Sequence, residues 1–179
     1  MTTPPGTETR RIGVILERRK ATSPWIEHVW RPVQVLDGTP QSEPWTVVAE
    51  GDGWVHFYAG AAEVSLYRHE SETYAYNLNS RMPAVWIFLR NSPEPGRVEL
   101  YGASVDPGEA HAHNDTGDDI VDFVPMPDGM REWMRGYIER NPPRTERYKR
   151  KRDKADPEAL ARRAGLYASD PLRQTPEDE

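Results

Sequence analysis

Two histidines separated by one residue, His111-Ala112-His113, lie among Asp106, Glu109, Asp115, Asp118 and Asp119. On a strand that spacing would turn both imidazoles to one side, where nearby carboxylates could complete a metal site. The segment from Asp106 to Asp119 reads instead as an acidic, glycine-containing loop, and no second histidine pair exists elsewhere. His111 and His113 are therefore only a weak metal candidate, and a solvated acidic loop is the simpler expectation. His28, His56 and His69 occur singly, and His56, between Val55 and Phe57, fits a core or sheet-surface position. No serine sits in a nucleophile-elbow context, and the absence of cysteine excludes a thiolate nucleophile, disulfides and cysteine-ligated iron–sulfur clusters. Neither G-x-x-x-x-G-K-[ST] nor a G-x-G-x-x-G between strand and helix is present, and Gly51-Asp52-Gly53 reads as a hairpin turn. The chain is thus expected to be non-catalytic by itself and to need no cofactor.

Binding chemistry is more legible. Of the six tryptophans, Trp25, Trp30, Trp45, Trp54, Trp86 and Trp133, most sit inside periodic segments, where core packing explains them. Trp25, beside Pro24 in a turn, is the best candidate for an exposed contact residue. Arg144 to Lys154 holds seven basic and two acidic residues, a net of +5 in a chain of net charge −6, which leaves −11 for the remainder. Tyr148-Lys149-Arg150-Lys151-Arg152 is the centre of that run. An acidic domain and sparse aromatics disfavour nucleic acid. Docking onto an acidic protein surface or plain solvation fits better.

The elements that must position these residues are mostly strands. Arg11–Glu17 is a short apolar run bounded by charge. His28–Leu36 alternates, and Pro32 marks it as an edge strand or the site of a bulge. Trp45–Glu50 and Trp54–Tyr58 flank Gly51-Asp52-Gly53 as a hairpin. Ala62–Tyr67 and Thr73–Leu78 alternate as half-buried strands. Ala84–Leu89, apolar on both faces, is expected to be central, and Arg97–Ala103 returns beside it. After the Asp106–Asp119 loop, Ile120–Val124 is a short return. Met130, Trp133, Met134, Tyr137 and Ile138 then share one face of a helix that Pro142-Pro143 stops. The expected fold is mainly β, an antiparallel barrel or sandwich of about eight strands capped by a C-terminal helix, with an extended basic tail. The boundaries read as a disordered N-terminus over 1–9, a β-rich domain with its capping helix over 10–141, and a basic tail over 142–179, disordered in part or ordered by a partner.

A chain of 179 residues can bury one workable core, although only 36% is hydrophobic and it carries 17 Pro and 13 Gly. No apolar run is long enough for a membrane span, and Met1–Gly6 has no apolar signal region, so a cytoplasmic location is the default expectation.

Several segments together carry a resemblance. These are Arg11-Ile12-Gly13-Val14-Ile15-Leu16-Glu17-Arg18 with Pro24-Trp25, and His28-Val29-Trp30-Arg31-Pro32-Val33. To them are added Asp118-Asp119-Ile120-Val121, Val124-Pro125-Met126-Pro127, Lys149-Arg150-Lys151-Arg152-Asp153 and Asp170-Pro171-Leu172-Arg173-Gln174. Over roughly residues 10–174 the chain resembles a bacterial family of unknown function often encoded in formate dehydrogenase gene clusters. Some members carry the label molybdopterin-guanine dinucleotide biosynthesis protein A, a nucleotidyltransferase that would show a Gly-rich nucleotide loop and an α/β pattern. The resemblance implies a small subunit or assembly factor that binds the catalytic subunit of a molybdenum- or tungsten-dependent formate dehydrogenase. The expected contacts are Trp25, Trp30, Arg31, Tyr148, Lys149, Arg150, Lys151, Arg152 and Arg173. The alternative is a β-barrel holding a small ligand, or an enzyme of molybdenum-cofactor handling, with a deep polar pocket floored by His56 or a buried carboxylate.

Overall fold

The computed structural model describes residues 6–94, 96–117 and 119–143. Seven strands and three α-helices follow in the order β1 (Thr7–Lys20), β2 (His28–Leu36), β3 (Thr46–Gly51), β4 (Trp54–Tyr67), a 3-10 turn (Arg68–Glu70), α1 (Ser71–Leu78), β5 (Ala84–Asn91), β6 (Val98–Ser104), α2 (Pro107–Thr116), β7 (Asp119–Pro125) and α3 (Asp128–Arg140). The strands form two antiparallel sheets, of order β2-β1-β4-β3 and β6-β5-β7. The protein is mainly β as expected, but no barrel closes among the described residues.

Alternation along β1 sets up the larger sheet. Ile12, Val14 and Leu16 point into the core, while Gly13, Ile15, Glu17 and Arg19 occupy the other face. Pro32 does what its missing N–H requires: β2 is an edge strand, and its register with β1 slips between Ile15/Gln34 and Leu16/Pro32. The β3–β4 hairpin forms where expected, with Asp52-Gly53 at the turn and Gly53 at φ 74°, the left-handed geometry glycine adopts without strain. Ala62–Leu66 is not a separate strand but the continuation of the 14-residue β4. In the smaller sheet, β5 is central and buries Ala84, Val85, Ile87, Phe88 and Leu89 on its two faces.

The shared core joins Ile12, Leu16, Val64 and Leu66 of the first sheet to Val85, Ile87, Leu89 and Val124 of the second. Met130, Met134 and Tyr137 of α3 complete it, so the C-terminal helix covers the β-domain as its spacing predicts. Trp133 donates from Nε1 to Glu8 at 3.2 Å, and Arg140 also reaches Glu8, tying α3 to the start of β1. Residues 7–9, assigned to a disordered N-terminus from sequence, are therefore strand, paired with Ser65–Tyr67.

Two elements differ from the expectation. Thr73–Leu78 is helical, not a strand. Buried Tyr74 and Asn77 stand three residues apart on the inner side of α1, while Tyr76, which alternation would bury, is 73% exposed. With this strand gone and Ala62–Leu66 merged into β4, seven strands remain in place of about eight. The acidic segment after Ser104 is also helical. Asp106 caps α2 by accepting the Gly108 N–H at 2.7 Å, Pro107 opens it, and Gly117 at φ 71° closes it. No helix among the described residues is long and apolar enough to cross a membrane. The basic tail, with Tyr148, Lys149, Arg150, Lys151, Arg152 and Arg173, lies outside the described residues.

Candidate functional site: an aromatic cleft at the mouth of the core

In the inward row of β1, Arg18 follows the last buried position, Leu16. Register places Arg18 beside Trp30 of β2 and Leu16 beside Phe57 of β4, so these side chains line the open end of the core face. Trp45, just before β3, completes the group. Its ring meets Trp30 edge-on at 5.8 Å between centroids and Phe57 at 6.4 Å, and Trp30 and Phe57 lie 5.6 Å apart. Such spacings suit attractive aromatic pairing. Trp45 adopts φ 69°, costly for a bulky residue, and its N–H donates to the Tyr58 carbonyl. The Arg18 guanidinium lies over Phe57 at 5.3 Å and Trp30 at 5.9 Å. The far wall comes from the β5–β6 turn and β6, through Ser92, Glu94, Arg97 and Val98. Trp30 Nε1 donates to the Gly96 carbonyl at 2.9 Å and fixes that wall to the aromatic one. The cleft has a volume of about 360 Å³, within the usual range of ligand and peptide pockets.

The opposite face of the same strand end carries a charged cluster. Glu17, its side chain only 4% exposed, accepts from Arg19 Nε at 3.0 Å and Nη2 at 3.1 Å and from Arg31 Nε at 2.9 Å. It also pairs with His56 Nε2 at 3.1 Å. The bidentate Arg19 bond is the main force holding the Glu17 carboxyl at about 2, aided by His56 and Arg31 against the opposing effect of burial. His56 stacks at 4.4 Å on Trp54. This carboxylate is closed over by its partners.

A second buried carboxylate, Asp119 at the start of β7, binds Arg90 of β5 and His113 Nδ1, the latter at 2.6 Å. Arg90, first, and then His113 hold its carboxyl below the usual range. Arg90 lies under Tyr101, and His113 stacks on Phe88 at 4.1 Å, so the cluster fastens α2 to the smaller sheet. The helix separates the two histidines. His111 is exposed, 3.7 Å from Asp115, while His113 turns onto the sheet. No group of three or more His, Asp or Glu residues that could hold a metal ion forms among the described residues, and Asp118 of the acidic segment lies outside them.

Of the contacts expected from sequence, Trp25 is 91% exposed in the β1–β2 connection, as a surface contact requires. Trp30 lies in the cleft, and Arg31 lies on the opposite face with Glu17, because neighbours on a strand point opposite ways. Arg18, Trp45 and Phe57 of the cleft were not singled out from sequence, nor were Glu17 and Arg19. The available signal was the continuation of the inward row of β1 past Leu16 into a charged residue.

No curated protein and no solved structure matches the chain. Residues 11–152, which include both faces of this strand end, match the family described as a protein of unknown function (DUF3305), and the chain belongs to that family.

Proposed function

We propose that this is a binding protein without a catalytic step of its own, which docks onto the catalytic subunit of a molybdenum- or tungsten-dependent formate dehydrogenase in the cytoplasm as a small subunit or assembly factor. The observation that carries the docking role is the cleft of Arg18, Trp30, Trp45 and Phe57. Tryptophan and arginine grouped in a concave site are the residue types that dominate binding energy at protein interfaces. Fully exposed Trp25 adds a second anchor, since a lone indole in water gains nothing until a partner covers it. The buried acids support the same reading, because Glu17 and Asp119 are each held by structural partners. The choice of partner rests on the sequence resemblance to proteins encoded with formate dehydrogenases.

The test is affinity capture of the tagged full-length protein from its native host, with identification of the co-purifying chains and a formate oxidation assay. An active dehydrogenase at fixed stoichiometry makes the protein a subunit. An inactive, cofactor-free catalytic chain makes it an assembly factor, and recovery of neither overturns the reading. Trp30→Ala is expected to lower recovery at least about tenfold, the effect of losing an interface anchor worth more than 1.4 kcal/mol. Trp25→Ala, at a position with almost no packing to lose, is expected to lower recovery with an unchanged melting temperature.

A second reading, a small-ligand carrier, is favoured by the cleft volume alone. It predicts a metabolite that co-purifies with the wild type and is lost in Trp30→Ala.

A further inference from the structure

We infer that Arg19 and Arg31 form a fork for a carboxylate, and that it takes an Asp or Glu side chain from an acidic segment of a partner protein. This rests on the docking reading and names the chemistry of the contact.

Strand register builds the fork. On the outer face of the first sheet, one row across the strands is Trp54, Arg19 and Val29, and the next is His56, Glu17 and Arg31. Farther along, the β2–β3 connection covers the face: Pro40 and the Gly38 carbonyl lie against Gly13 beside Tyr58, and Ile15 and Tyr58 are buried. The Arg19 and Glu17 rows remain open.

Each Glu17 oxygen already has two partners, so that carboxylate is full. The two guanidiniums are not. Arg31 spends only Nε on Glu17, Arg19 keeps Nη1, and no other acceptor takes these atoms among the described residues. Their side chains are 51% (Arg19) and 53% (Arg31) exposed. Two guanidiniums on one carboxylate leave net positive charge at this face. Glu17 also fixes both long side chains in the free protein, so an incoming anion meets donors whose rotamer entropy is already lost. The anion the geometry suits is a carboxylate, the group Arg19 already grips through two parallel bonds.

Shape selects the source. The rows lie on an open sheet surface with half-exposed Val29 and partly buried Trp54 alongside, and a free small anion there would stay largely hydrated and weakly held. A carboxylate delivered by a protein segment that also covers Trp54 and Val29 escapes that limit. The aromatic cleft sits on the other side of the same strand ends, because Arg18 and Arg19, like Trp30 and Arg31, are neighbours that point opposite ways. One partner gripping this end of the sheet would meet both.

The experiment titrates the ¹⁵N-labelled full-length protein with a short polyglutamate peptide and, separately, with sodium acetate at equal carboxylate concentration. The readouts are the Trp54 indole and His56 ring signals, and dependence on Arg31 and Arg19 separates the fork from peptide held by the basic run around Lys149–Arg152. The expected result is a saturable shift with the peptide, little with acetate, and at least about tenfold weaker binding in Arg31→Lys, which keeps the charge and loses the planar fork. Arg19→Lys provides a second variant should the first melt early. Absence of a shift, or undiminished binding by both Lys variants, overturns the fork. Equal response to acetate makes it a small-anion site and overturns the docking role. Peptide binding as expected alongside a capture experiment without dehydrogenase would retain the fork and discard that partner. Capture of the dehydrogenase by a protein indifferent to the peptide would do the reverse.

Discussion

Asn77→Ala is expected to destabilise the protein by about 3–5 kcal/mol, a large share of the stability of a domain this size. Asn77 is 2% exposed on α1 and serves as a three-way connector. Its Nδ2 donates to the Ala84 carbonyl at 2.9 Å and the Val105 carbonyl at 2.8 Å, and its Oδ1 accepts from the Ala84 N–H at 3.0 Å. These bonds fasten α1 to the start of the central strand β5 and to the residue that follows β6. Truncation strands two carbonyls and one N–H, each costing about 1–3 kcal/mol when buried without a partner. Urea denaturation of the wild type and the variant measures the loss. Asn79→Ala is the control, since exposed Asn79 bonds only the Ala75 carbonyl of its own helix and should cost under about 0.5 kcal/mol. Equal effects at the two positions would mean that α1 is not anchored through Asn77.

The same residue shows why the pattern of α1 suggests a strand. Thr73–Leu78 is β-prone and alternates apolar with polar, and period-two reading buries Tyr74, Tyr76 and Leu78. The chain instead follows Tyr74 and Asn77, three apart, and Asn77 can be buried only because Ala84 and Val105 offer backbone partners that no local pattern reveals. For α2 the signal was present: Asp106-Pro107 followed by Glu109 is an N-terminal cap sequence, and Gly117 is a stop. Weak amphipathicity masked it. β1 and α3 were legible because each buries one continuous apolar face, through Ile12, Val14 and Leu16 in β1 and through Met130, Met134 and Tyr137 in α3.

The site was legible by residue type and not by placement. Trp30 and Arg31 stood out together, yet alternation assigns them to different faces and so to different chemistry. Glu17 looked like the polar end of a strand. Its burial depends on Arg19 two residues on, Arg31 across β2 and His56 across β4, and the last pairing follows a register slip between Val14 and Ile15 that composition does not encode. Likewise, the cleft wall at Gly96 meets Trp30 only after two sheets have packed.

Glu17 also gives the clearest pH dependence. In the unfolded chain its carboxyl titrates near the ordinary value of 4.5, and in the folded protein Arg19, His56 and Arg31 hold it at about 2. A depressed folded value means the ionised form is the one the fold favours. Its contribution is complete above 4.5 and is lost as pH falls from there towards 2. Because both guanidiniums are half in water, screening reduces the contribution to about 2 kcal/mol. Glu17→Gln keeps the shape and removes the charge. At pH 7 it is expected to melt lower than the wild type, and on acidification from pH 6 to pH 2.5 most of the gap should close, because the unfolded wild type takes up a proton at Glu17 that the folded form, held at about 2, still resists. Other carboxylates titrate equally in both proteins, so the difference between the two melting curves isolates Glu17. A gap that stays constant across this range would show that its charge is not what holds Arg19 and Arg31. The fixed geometry of the proposed carboxylate fork would then have lost its cause.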